Sequence, residues 1–254
     1  MGKDVIVACD FPGRGKLEAF LDRLGAEKPY VKIGMELFYA EGPEIVRLLK
    51  SRGCRVFLDL KLHDIPNTVK RAMAVLADLG ADMVNVHAAG TRAMMEAALE
   101  GLSTGSGPRP LLLAVTQLTS TDQTALETAL LIREPMERVV ESYAKTARTA
   151  GLDGVVCSPL EAAAVHAACG TDFLTVTPGV RFPEGDAGDQ KRVMSPLKAR
   201  EAGSDYIVVG RPITAAPDPA AAYARCIREF VGKGGASWKA ANGNSSASWR
   251  RREC

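Results

Sequence analysis

The chain has 254 residues, 46% hydrophobic and 24% charged, with a formal net charge of +2, which is enough apolar content for a large core and within the range of one barrel-sized domain. Five basic residues near the end, Lys233, Lys239 and Arg250 to Arg252, outweigh Glu253, so the body is mildly acidic and gives no electrostatic reason to expect nucleic acid or an anionic membrane as partner. The six cysteines lack CxxC or metal-ligand spacing, no apolar run reaches the length of a membrane span, and MGKDVIVACD enters a strand-like run without a signal peptide, so the reducing cytoplasm is the expected location.

Along the chain, short β-branched apolar runs alternate with longer amphipathic stretches. The runs fall at 5–9, 30–33, 56–60, 83–87, 111–116, 154–157, 173–177 and 206–209. Helical periodicity is expected at 16–24, 43–51, 68–79, 91–102, 135–150, 160–168, 196–202 and 218–230. TDQTALETALLI at 121–132 reads as an inserted helix after the fifth run. Strands that are apolar almost throughout and separated by helices predict a parallel sheet buried on both faces. Eight such units over residues 1–231 predict a single-domain α/β fold, the (β/α)8 TIM barrel. The alternative, a doubly wound open sheet, wants a GxGxxG after the first strand, which is absent. Residues 232–254 are rich in Gly, Ser, Ala and Asn and hold both tryptophans, Trp238 and Trp249; this composition predicts a disordered basic tail.

The stretch FLDLKLHDIPNTV at 57–69 sets charges into a core strand. Because side chains alternate along a strand, Phe57, Asp59 and Lys61 share one face and Leu58, Leu60 and Leu62 the other. The leucines are expected to pack against helices, and Asp59 and Lys61 to point into the C-terminal barrel mouth, where barrel enzymes build their sites. Asp64 lies just beyond, and Pro66 disfavours helix at Ile65, so the next helix is expected to begin at Asn67 or Thr68. Asp10 ends the first strand and Lys32 sits in the second. One carboxylate–ammonium pair is compatible with a purely structural strand end; two pairs converging on one mouth favour a functional site. An ammonium about 4 Å from a carboxylate gains roughly 4 kcal/mol at an effective dielectric near 20, before desolvation. That keeps Lys61 protonated, which disfavours a Schiff-base lysine and favours a proton donor.

Gly210 and Arg211 follow the eighth strand, where barrels hold phosphate. PGVRFPEGDAGDQKRV at 178–193 has the composition of a mobile lid. His63 reads as structural, His87 and His166 lack metal-site spacing, and Cys157 reads as a small buried hydrophobe.

These residues carry a resemblance. DLKLHDIPNT at 59–68 resembles the active-site signature of the orotidine 5′-phosphate decarboxylase family. VKIGMELFYAEGP at 31–43, VNVHAAG at 84–90, AVTQLTST at 114–121, LDGVVCS at 152–158, FLTVTPGVR at 173–181 and IVVGRPIT at 207–214 are similar to family segments in the same order. The resemblance covers residues 4 to about 230. It implies a homodimeric barrel with shared active sites that decarboxylates a nucleotide, orotidine 5′-phosphate, to UMP without metal or organic cofactor. It also implies an alternating array of Lys32, Asp59, Lys61 and Asp64, the last contributed by the partner subunit. In it Asp59 faces the substrate carboxylate, and Lys61 stabilises and protonates the C6 carbanion. Asp10, Lys32 and the partner subunit's Thr68 contact the ribose, and Thr119 and Ser120 the pyrimidine. Arg181, Gln190, Gly210 and Arg211 hold the phosphate, and Ile65 and Pro178 fall among the substrate-binding positions. A metal-dependent sugar-phosphate decarboxylase or aldolase of the same superfamily would want an acidic residue where Lys32 stands. A non-catalytic barrel scaffold would have no need of all four charges.

Overall fold

Eight parallel strands close on themselves in sequence order: β1 (Asp4–Ala8), β2 (Tyr30–Gly34), β3 (Arg55–Leu62), β4 (Met83–His87), β5 (Leu111–Val115), β6 (Gly154–Val156), β7 (Leu174–Thr177) and β8 (Tyr206–Val209), with β8 pairing back onto β1. The computed structural model describes residues 3–184 and 194–232. The tail expected over 232–254 lies, beyond Gly232, outside the described residues, as does most of the lid expected over 178–193. The main crossover helices are α1 (Arg14–Arg23), α3 (Glu44–Ser51), α4 (Pro66–Ala77), α5 (Thr91–Leu102), α7 (Met136–Thr149), α8 (Ala162–Cys169), α9 (Pro196–Glu201) and α11 (Pro219–Phe230). Three short ones, α2 (Met35–Glu41), α6 (Gln123–Thr128) and α10 (Arg211–Thr214), sit beside the strands' C-terminal ends. The chain is the (β/α)8 barrel expected from the eight apolar runs. None of the described helices is long and apolar enough to cross a membrane.

Strand alternation divides the apolar residues into two cores. Outward-facing Val5, Val7, Val31, Ile33, Leu58 and Leu60 pack against the helices. Inward-facing Ile6, Phe57, Met83, Leu113, Val176 and Val208 fill the barrel. Its floor is closed by Tyr30 and Tyr206, edge to face at 6.2 Å, with the Arg55 guanidinium 4.0 Å from the Tyr30 ring. Five cysteines, Cys9, Cys54, Cys157, Cys169 and Cys226, are free and buried.

The base of the barrel is tied by a repeated device. Gly80-Ala81-Asp82, Gly151-Leu152-Asp153 and Gly203-Ser204-Asp205 each lead into a strand, and each glycine has positive φ (76°, 86° and 95°), where a side chain is strained. Each aspartate then makes a reciprocal pair with the preceding strand. Its N–H donates to the carbonyl of Val56, Leu112 or Thr175, and its carboxylate accepts from the N–H of that same residue at 2.7, 2.7 and 2.8 Å. A basic side chain backs each one: Lys50 on Asp82, Arg109 in a two-pronged bond to Asp153, and His166 on Asp205. The strands are thereby fastened in pairs at the end opposite the mouth.

α4 begins at Pro66, with Ile65 as its extended N-cap, one to two residues before the expected start at Asn67 or Thr68. The reason is local: proline excludes helix at the residue before it but is well suited to the first helical position, where no N–H is required.

Candidate active site

At the C-terminal ends of β1, β2 and β3, four side chains alternate in charge. The Lys32 ammonium lies 2.9 Å from Asp10 Oδ1 and 3.3 Å from Asp59 Oδ2, and Lys61 Nζ donates to Asp59 Oδ1 at 2.6 Å. Burial works against the charges of both Lys32 and Asp59, yet their mutual attraction wins. The Asp59 and Asp10 carboxylates hold the Lys32 pKa above the ordinary lysine value. Lys32 and Lys61, with hydrogen bonds from Lys61 and Asn85, hold Asp59 below the usual carboxylate range.

Two residues that sequence reasoning did not single out shape this line. Gly34 ends β2, and a Cβ there would stand 3.1 Å from Asp10 Oδ1 and 3.3 Å from Lys32 Nζ, crowding the first pair. Asn85, 1% exposed in β4, donates from Nδ2 to Asp59 Oδ1 at 2.6 Å and accepts from the Lys61 main-chain N–H at 2.8 Å. The signal for Gly34 was available as a glycine at a strand's catalytic end. Asn85 was visible only as a polar residue inside an apolar run.

Simple alternation also fails at one point on β3. Leu58 lies opposite Val84 and Leu62 opposite Val86, so four residues of β3 span what two span on β4. Lys61 takes up the excess with φ of +52°, a left-handed conformation that costs a non-glycine residue about 1 kcal/mol or more. A bulge here re-aims the lysine without moving Asp59 off its strand.

Lys32, Asp59 and Lys61 share a cavity of about 220 Å3 with Thr119, Ser120 and Pro178. It adjoins a more open recess bordered by Asp10, Lys32, Pro178, Arg181, Gly210 and Arg211. Lys32, Pro178 and Val208 belong to both. Gly210 caps α10, and Arg211 is its first residue. The base of the loop after β7 is closed by a Val180–Met194 bridge, and Phe182 lies beneath the Arg225 guanidinium at 4.0 Å; Gln190 lies outside the described residues.

Asp64, Ile65 and Thr68 do not join this cluster within the chain. All three are exposed, Ile65 to 67%, and Asp64 and Ile65 border a separate groove with His63 and Thr91. The His63 and His87 rings meet at 5.6 Å. Burial, the His63 ring and Lys61 push His87 below its ordinary pKa. Among the described residues no group of three or more His, Cys, Asp or Glu is arranged to hold a metal ion.

A family model described as "Orotidine 5'-phosphate decarboxylase / HUMPS family" matches residues 3–226. The chain is 57% identical over 230 residues to the orotidine 5'-phosphate decarboxylase of Bacillus caldolyticus, covering 89% of this chain and 94% of that one. Among solved structures, an uncharacterized conserved protein from Geobacillus kaustophilus superposes with a TM-score of 0.79 at 52% identity, over 89% of this chain and 99% of that one. Orotidine 5'-phosphate decarboxylase from Lactobacillus acidophilus gives 0.81 at 45% identity, over 90% and 99%.

Proposed function

The chain belongs to the orotidine 5′-phosphate decarboxylase / HUMPS family, and on that premise we propose that it is a carboxy-lyase converting orotidine 5′-phosphate to UMP and CO2, in the service of pyrimidine synthesis. The observation that carries this reading is the unbroken line Asp10, Lys32, Asp59, Lys61, whose last three members share one cavity with Thr119 and Ser120 while Asp10 borders the adjoining recess with Arg181 and Arg211.

In the proposed step, the bond from C6 to the substrate carboxylate breaks, the electron pair stays on C6, and CO2 departs. The Lys61 ammonium stabilises the developing carbanion and transfers a proton to C6, leaving a neutral amine that regains a proton from water. A unit charge held about 4 Å from C6 is worth roughly 4 kcal/mol at an effective dielectric near 20, or about a thousandfold in rate. Asp59 keeps Lys61 aimed and crowds the substrate carboxylate, a repulsion relieved as CO2 leaves. Asp10 and Lys32 hold the ribose hydroxyls. Thr119 and Ser120 line the pyrimidine side, with Pro178 between base and phosphate. Arg181, Gln190, Gly210 and Arg211 take the phosphate. The acid and the electrostatic stabilisation come from the chain's own side chains, and no cofactor enters the scheme.

We further propose a homodimer in which Asp64, Ile65 and Thr68 complete the partner's site; their exposure apart from the cavity of their own chain supports this. A metal-dependent sugar-phosphate chemistry is less well supported, because the Lys32 ammonium, 3.3 Å from Asp59, takes the place a cation would need beside that carboxylate.

The test is the loss of orotidine 5′-phosphate absorbance with and without EDTA. Turnover by the purified protein in EDTA is the expected result. An inactive protein, or one that needs Mg²⁺, would overturn the proposal.

A further inference from the structure

We propose that Asn85 is a positioning residue for this reaction: a neutral hydrogen-bond donor that holds the Asp59 carboxylate in place while Lys61 is without its proton. The inference rests on the decarboxylase reading above, since only a reaction that takes the proton from Lys61 creates that moment.

The geometry around Asn85 leaves it one orientation. A backbone N–H only donates and an ionised carboxylate only accepts, so the Asn85 amide meets Lys61 N–H with its oxygen and Asp59 with its nitrogen. Turning it over would lose both bonds in a fully buried setting, where an unmet polar group is costly. The same side chain therefore fixes two things. Its oxygen satisfies the N–H that the β3 bulge removes from the strand ladder, which secures the left-handed turn at Lys61. Its nitrogen reaches the carboxylate oxygen, Asp59 Oδ1, that also receives Lys61 Nζ.

That shared oxygen gives Asn85 its role. Lys32 from β2 faces the other oxygen of Asp59, with Asp10 beyond it from the end of β1, and Lys61 faces Oδ1 from β3. His87, also from β4 and backed by His63, is pushed toward its neutral form. When Lys61 delivers its proton to C6, Oδ1 loses its ammonium, and the Asn85 amide remains its fixed donor while Lys32 still faces the other oxygen. Without that amide, Oδ1 has only the freely rotating Lys61 amine to hold it, and the carboxylate turns away from the position that aims Lys61 as the amine regains its proton from water.

Asn85→Asp separates the two functions. Its side chain still accepts from Lys61 N–H, but it donates to Asp59 only when protonated. Because both lysines favour the ionised form of Asp59, the shared proton settles on the introduced carboxyl. The expected result is a kcat at least tenfold below wild type at neutral pH that recovers as pH falls from 8 to 5, against a flat or falling wild-type profile, with KM changing much less. A uniform loss across pH, or a profile parallel to wild type, would overturn the inference while wild-type turnover leaves the decarboxylase reading intact. If Asn85→Asp does not fold, Asn85→Ser, which keeps a hydroxyl donor, should exceed Asn85→Ala in kcat with similar KM; equal kcat in the two would likewise overturn it.

Discussion

Lys61 reaches back along its own strand to Asp59, two residues earlier, and places its ammonium 2.6 Å from the carboxylate. The left-handed backbone at Lys61 is what aims the side chain there. If the lysine acts as a proton donor, charge alone will not replace it. Lys61→Ala is expected to lower kcat at least 10⁴-fold, combining the proton-transfer and electrostatic contributions. Lys61→Arg keeps a cation that does not deprotonate in proteins, so it should retain substrate binding within about tenfold and remain nearly as slow as Lys61→Ala. Steady-state kinetics on both variants decide this, and an active Lys61→Arg enzyme would argue for a purely electrostatic lysine.

A shared site predicts complementation. Lys61→Ala and Asp64→Ala chains, each inactive alone, should regain up to about a quarter of wild-type activity per mixed population after subunit exchange, because one of the two sites in a heterodimer then has both residues intact. Exchange is followed by mass or tag separation. Verified heterodimers with no activity would place Asp64 outside the partner's site.

The buried pair sets a pH window for stability. Asp59 has its pKa lowered in the fold, so its contribution is present above the ordinary value of 3.8 and is lost as pH falls through the folded value. Lys32 has its pKa raised, so its contribution is present below 10.5 and is lost as pH rises through the folded value. Thermal midpoints across pH should therefore drop at both ends. Asp59→Asn should flatten the acid limb and weaken the alkaline one; limbs unchanged from wild type would contradict the pairing.

Asp153 accepts two bonds from Arg109 and one from the Leu112 N–H far from the mouth. Asp153→Ala leaves that N–H without its side-chain acceptor and is expected to cost about 2 kcal/mol, or a fall of roughly 4–8 °C in Tm, with kcat/KM within twofold of wild type. Calorimetry and a single assay check it, and a loss of activity without loss of Tm would be the contrary outcome.

The strands were legible because a parallel sheet buried on both faces writes itself as short apolar runs, and Lys32, Asp59 and Lys61 stood out as charges inside those runs. α2 and α10 were not legible: seven and four residues are too short to show helical periodicity. The bulge at Lys61 was hidden because nothing in LDLKL departs from strict alternation, and the amide that meets its N–H, that of Asn85, comes from the next strand. Ile65 and Thr68 were readable as candidate site residues only through resemblance, and so was the placing of Asp64 in a partner's site. Their exposure on this chain is why periodicity alone left them unexplained.

The Gly-x-Asp fasteners at the barrel's base bear on how such a molecule can change over time. They fix the strand pairs β3–β4, β5–β6 and β7–β8 at their starting ends, while the corresponding place before β2 is held by Pro29 and carries no such carboxylate. Substitutions at the mouth can therefore retune which molecule is processed without undoing the stitching below. The barrel's capacity to acquire new chemistry resides at one end, and its tolerance of that experimentation is underwritten at the other.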